Sequence, residues 1–158
     1  MTVYEVENTI KTLLPPVEEI NQTGTWRLPV KNGKETVEFF GKFLGMATTH
    51  QEEHNERAHE DASFKCSACR WFEPRIFLDT EAEPNMYIVH LAYMTTVPGE
   101  IEKSKIEKTP SANEVMEILT SRNRTGQIFL SQPARRVLSQ ATKFDQEILD
   151  AWINRALA

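Results

Sequence analysis

Three of the four histidines and both cysteines of this 158-residue chain fall between positions 50 and 69. His50 and His54 form H-x3-H, and Cys66 and Cys69 form C-x2-C. Zinc takes four nitrogen or sulfur ligands in a tetrahedron, and these are the spacings by which protein segments usually supply them. Two residues between cysteines let the backbone curl so that both thiolates turn toward one ion. The expected cofactor is therefore a structural Zn2+ held by His50, His54, Cys66 and Cys69. His59 is the alternate ligand, since His54 and His59 make an H-x4-H pair if a helix breaks between them. A competing reading makes the histidines a solvated face and the thiols merely reduced.

Catalytic zinc fits less well. "HNE" at 54–56 with C-x-x-C downstream invites comparison with zinc deaminases, but only nine residues separate Glu56 from Cys66, and Lys65 stands where that motif has proline. "HQEEH" departs from H-E-x-x-H because Gln51 occupies the general-base position. A thioredoxin-like C-x-x-C should follow a strand and open a helix. Here it leads into the strand-like run "RWFEPRIF".

The elements that must position these ligands follow from periodicity. A helix is expected over 3–14, from Val3, Val6, Ile10, Leu13 and Leu14, ended by Pro15-Pro16. A short strand follows at 26–30, ahead of the Asn32-Gly33 turn. Phe39, Phe43, Met46 and Ala47 recur at three and four residues, so a long helix is expected over about 35–56, with His50 and His54 continuing its apolar stripe. Strands are expected at 70–79, where Pro74 suggests an edge or bulge, at 85–99, and at 100–108 as a solvated edge. "VPGE" suits a type II turn. His90, within an apolar strand, reads as a hydrogen-bonded core residue.

The last third reads as helical. Ser111 and Glu114 form a capping box, Pro133 falls in a first turn behind Ser131, and Asp145 caps a segment with Ile148, Leu149, Trp152 and Ile153 on one face. The fold class is α+β: a small antiparallel sheet of three to four strands packed by helices, with a helix-to-knuckle zinc site. The length suits a single domain. Its parts are an N-terminal helix and turn-rich segment (1–34), the helix, knuckle and sheet (35–108), and a helical C-terminal part (109–158).

Composition is ordinary for a globular protein, at 40% hydrophobic and 26% charged. No apolar run approaches the ~20 residues that span a bilayer, and the first residues lack the layout of a secretion signal. A cytoplasmic location with no membrane partner is expected. The net charge of −5 disfavours non-specific nucleic-acid binding by the chain as a whole. The charge is uneven, however. From Ser121 to Lys143 there are five basic residues and no acidic one. Arg122, Arg124, Arg135 and Arg136 are thus candidate phosphate contacts. The plainer reading is a solvated face paired with acidic groups elsewhere in the chain, favoured because no aromatic interleaving is read among the arginines.

The run "KCSACRWFEPRIF", with "YIVH" and "VPGE" at a fixed remove and a helical tail, resembles small accessory proteins of phages that infect actinobacteria. The resemblance covers about residues 50–158. It implies a phage origin and a zinc knuckle, and it carries no established activity. The function expected is that of a non-enzymatic, zinc-stabilised accessory protein. It would bind a host macromolecule, protein or nucleic acid, in the host cytoplasm and so modulate host defence or gene expression. The alternatives are a nucleic-acid-binding protein using the 121–143 segment and a zinc-dependent hydrolase or deaminase-like enzyme.

Overall fold

In a computed structural model the residues described are 3–5, 21–30, 35–49, 70–95 and 97–157. The chain order is β1 (Val3–Glu5), β2 (Thr23–Val30), β3 (Glu35–Met46), β4 (Arg70–Asp79), β5 (Met86–Thr95), β6 (Lys103–Thr109), α1 (Ala112–Ile118), β7 (Thr120–Arg122), β8 (Ile128–Leu130), α2 (Gln132–Ala141) and α3 (Gln146–Leu157). The class is α+β. Strands β2 to β6 form an antiparallel meander in sequence order, and β1 adds to its edge in parallel with β2. The sheet is thus larger than the three to four strands expected, and Val3–Glu5 is strand where the sequence suggested helix.

The largest departure is β3. The helix expected over 35–56 is a strand as far as Met46, and residues 47–49 are not helical. The cause is a bulge. Phe43 pairs with Phe77 but Gly45 pairs with Ile76, so Leu44 is an extra residue and the alternation slips by one. Phe39 and Phe43 lie on one face by period two, and the slip returns Met46 to that same face. The resulting spacing of four and three imitates a helix. Gly41 and Gly45, with Thr36 and Val37, are the residues that disfavour one. The bulge leaves the Met46 N–H outside the ladder, and Gln140 Oε1 on α2 accepts from it at 2.8 Å. Gly45 is where α2 crosses. A Cβ there would lie 3.0 Å from the Val137 carbonyl oxygen.

The sheet curls, and its central strands are buried on both faces. Inside the curl, Trp26, Leu28, Phe39, Phe43, Met46, Phe77 and Ile88 form one core. Phe43 stacks on Phe77 at 4.8 Å, and the Trp26 ring lies 5.2 Å from both. On the other face, Leu44, Ile76, Tyr87, Val89 and Leu91 pack against Val115 and Met116 of α1, Val137 and Leu138 of α2, and Ile148 of α3. Burial on both sides is why β5 reads as a nearly continuous apolar run, whereas β4 carries Glu73 and Arg75 inside the curl. It also places Pro74 in a central strand rather than at an edge. Its carbonyl accepts from the Ala47 N–H at 3.1 Å, just past the end of β3, where the ladder has become irregular.

The curl closes through side chains. The Pro29 carbonyl on β2 accepts from Ser104 Oγ on β6 at 2.7 Å and from His90 Nε2 on β5 at 2.7 Å. In a strand the N and C=O of one residue point to the same side. Pro29 therefore turns its missing donor away from β3, where it costs no ladder bond.

The C-terminal helices begin at the signals the sequence carries. Ser111 Oγ accepts from Glu114 N, and Thr109 completes the cap by accepting from Ser111 N and donating to Glu114. Asp145 Oδ1 accepts from Ile148 N at 2.9 Å and also from the Tyr87 hydroxyl at 2.8 Å, tying the start of α3 to β5. No helix among the described residues is long and apolar enough to cross a membrane.

Candidate functional site

Strand alternation sends Trp71, Glu73, Arg75 and Phe77 of β4 into the curl, opposite Met94, Ala92, His90 and Ile88 of β5. Glu73 and Arg75 are fully buried and form an ion pair at 2.8 Å. Buried charges persist only when paired and hydrogen-bonded, and these are. Glu73 accepts from Trp71 Nε1 at 3.1 Å and is bonded by the Thr48 side chain. Arg75 donates from Nε to Met46 Sδ at 3.3 Å and from Nη1 to His90 Nδ1 at 3.0 Å. Arginine has no acceptor to offer, so His90 Nδ1 is the acceptor and Nε2 carries the proton that goes to Pro29. Burial, reinforced by the Arg75 charge, pushes His90 down to about 3, so the ring is neutral at pH 7. Burial pushes the Glu73 carboxyl up, and Arg75 beside it holds that rise back. His90 is thus the hydrogen-bonded core residue expected from the sequence.

At the outer end of this relay, an open cavity of about 680 Å³ wraps over the ends of β4 and β5. Its inner wall is Trp71 and Met94, and its outer wall is Phe72 and Tyr93. The last two rings are cross-strand neighbours stacked at 5.0 Å. Tyr93 is 49% exposed and Ile101, at the rim, is 62% exposed. Opposite them the Arg70 guanidinium grips Glu100 with two parallel bonds, Nε to Oε1 at 2.8 Å and Nη2 to Oε2 at 2.5 Å. Thr95 Oγ1 adds a third bond to Glu100 at 2.7 Å. The bonds from Arg70 and Thr95 hold the Glu100 carboxyl down at about 2. Glu100 is placed by the expected turn: its N–H donates to the Val97 carbonyl at 3.1 Å, with Gly99 at φ +84°. The cavity is a shelf with an aromatic floor and a charged rim.

His50, His54, His59, Cys66 and Cys69 lie outside the described residues, and among the described residues no cluster of His, Cys, Asp and Glu could hold a metal. One premise of the zinc reading is overturned. The sequence spacing puts His50 and His54 on the stripe of a helix containing Phe39 and Phe43, and those phenylalanines lie on a strand. The flanks of the segment meet one another. Thr49 N donates to the Phe72 carbonyl at 3.0 Å, and Phe72 N donates back to Thr49 Oγ1 at 2.8 Å. The chain therefore leaves and returns at one point, beside the shelf, since Thr49 and Arg70 both line the cavity.

The four arginines are displayed by a second feature. Arg122 lies on β7, Arg124 in the β7–β8 turn, and Arg135 and Arg136 on the exposed side of α2. The pairing with acidic groups that a solvated face implies is not seen: among the described residues none of the four meets a carboxylate. An aromatic residue does interleave them, since Phe129 on β8 is 42% exposed. Sequence reading passed over it inside "IFL" and missed the Phe72–Tyr93 shelf as well. The available signal for the shelf was aromatic residues on both faces of neighbouring strands.

No known protein family, curated protein or solved structure matches this chain.

Proposed function

We propose that this chain is a non-enzymatic binding protein, a phage-type accessory factor acting in the cytoplasm of a host cell. Its 50–69 segment is clamped by a structural zinc ion, and its aromatic shelf receives a host protein. The reading rests on the reciprocal bonds between Thr49 and Phe72, which bring the two ends of that segment together beside the shelf. With the ends already joined, the ordering cost of gathering ligands onto one ion falls to that of the segment alone. The donor set suits zinc, with two imidazoles from His50 and His54, or His59 as substitute, and two thiolates from Cys66 and Cys69. Four protein ligands leave no position for a reacting water. The non-enzymatic reading draws on the interior too: Glu73, Arg75 and His90 direct their polar atoms at one another and at Pro29. Exposed aromatic surface with a charged rim is the usual make-up of a protein-binding patch.

The test has two parts. Native protein should carry one zinc per chain, and Cys66→Ser with Cys69→Ser should lose it; folded protein that is metal-free as isolated overturns the clamp. Tyr93→Ala with Ile101→Asp should abolish capture of the host partner while leaving the melting temperature in place. Undiminished capture overturns the shelf.

A further inference from the structure

The described arginines divide into two groups. Arg27, Arg70, Arg75 and Arg155 each pair with a carboxylate, of Glu38, Glu100, Glu73 and Glu117 respectively. Arg122, Arg124, Arg135 and Arg136 meet none among the described residues, and all four are carried by the β7–β8 hairpin and the helix that follows it. The carboxylate-free stretch from Ser121 to Lys143 holds these four and Lys143. The other described arginines of the fold are paired, and these four are not.

That surface is also held in shape. Leu130 packs on the helical core, anchoring β8. The turn is organised by Asn123, whose Oδ1 accepts from Thr125 N at 3.0 Å and Gln127 N at 2.9 Å, and Gly126 supplies the φ of +83°. Arg122 Nη1 donates to the Gly126 carbonyl at 3.2 Å, which leaves its other donors to meet a ligand. On α2 the buried residues are Ala134, Val137, Leu138 and Ala141, so Arg135 and Arg136 face solvent. Phe129 stands opposite Ser121 in the hairpin register, and so small a neighbour leaves its ring open.

We propose that the β7–β8 hairpin and the solvent face of α2 form a docking surface for single-stranded nucleic acid. Arg122, Arg124, Arg135 and Arg136 meet the phosphates and Phe129 stacks on a base. Guanidinium forks match phosphate oxygens. An exposed ring beside them matches the base faces that a single strand offers and a duplex hides. The net charge of −5 repels a polyanion from the rest of the molecule and confines it to this surface.

The experiment uses the full chain with a fluorescein-labelled 20-nucleotide oligo-dT or oligo-U, a matching duplex, and polyglutamate as competitor. Four phosphate contacts on a single strand should weaken binding about 50-fold between 50 and 200 mM salt. Replacing all four arginines by alanine should remove this salt-dependent binding with the melting temperature unchanged. Phe129→Ala should cost about fivefold or more on the single strand. Absence of binding at 50 mM salt, or binding indifferent to the arginines, overturns the proposal. Duplex binding as tight as single-strand binding and indifferent to Phe129 overturns the single-strand assignment. Equal displacement by polyglutamate overturns it in favour of an acidic protein.

Discussion

His90 Nε2 on β5 lies 2.7 Å from the carbonyl oxygen of Pro29 on β2, residues 61 positions apart in sequence. This bond ties the penultimate strand of the curled meander to its first, and the ring that makes it is held neutral by burial and by Arg75, which donates to Nδ1. Stability should therefore depend on pH. The unfolded chain takes up the imidazole proton near pH 6.5, while the folded protein holds the ring neutral down to about pH 3. Between those values the unfolded state binds more protons, so the His90 contribution is complete above about pH 6.5 and drains away on acidification. The slope is about 1.4 kcal/mol per pH unit. Glu73, whose carboxyl is raised, works in the opposite sense over its own range. Urea unfolding of the native chain against His90→Asn between pH 7 and 4 isolates the histidine, and equal slopes in the two proteins would refute its role.

The Glu73–Arg75 pair is destabilising to break and inexpensive to replace whole. Glu73→Ala leaves a guanidinium buried without its carboxylate and should cost about 3–5 kcal/mol. The double change Glu73→Leu, Arg75→Met substitutes apolar volume for both charges and should recover most of that loss. Denaturant unfolding of both variants decides the matter, and a double variant worse than Glu73→Ala contradicts the account.

Gly41 is fixed by the approach of β4. A Cβ at this position would lie 2.0 Å from the Leu78 carbonyl oxygen, which is backbone and cannot swing aside. Gly41→Ala should therefore cost at least the ~3 kcal/mol at the upper end of overpacking. Gly126→Ala sits in open space at φ +83° and should cost only about 1–2 kcal/mol, the left-handed penalty. Thermal melts of the two variants should rank them in that order.

The proposed zinc clamp predicts that metal removal acts locally. The two cores lie on β2 to β6 and the C-terminal helices, and the flanks of the 50–69 segment join them at Thr49 and Phe72. A chelator should release zinc, lower stability by several kcal/mol and speed proteolytic cleavage within 50–69. The far-UV signature of the sheet should persist. A melt that a chelator does not shift would remove zinc from the account.

Local signals were legible and non-local ones were not. The caps at Ser111 and Asp145 and the turn at Pro98-Gly99 each act within a few residues, and each is where the sequence places it. Strand β4 is legible from its aromatic and β-branched run, at the bounds expected. Strand β3 was hidden because one bulged residue turned a period of two into a helix-like spacing. Without β3, nothing linked β2 to the later strands, so the sheet was counted too small. Glu73 and Arg75 were in plain view within "RWFEPRIF", as was Trp71 two residues from Glu73, but Met46 and His90 meet Arg75 only once the strands align. The four arginines could be found by charge alone. That they lack carboxylates depends on where every glutamate of the fold ends up.

Strands β4 and β5 are buried on both faces, so nearly every position along them answers to one core or the other. Such a sheet has little freedom to acquire new chemistry by substitution. Its evolutionary latitude lies at the periphery: the strand ends around Tyr93 and Ile101, the Asn123 turn, and the interval between Thr49 and Arg70. Substitution can diversify those borders while the curled centre stays constant.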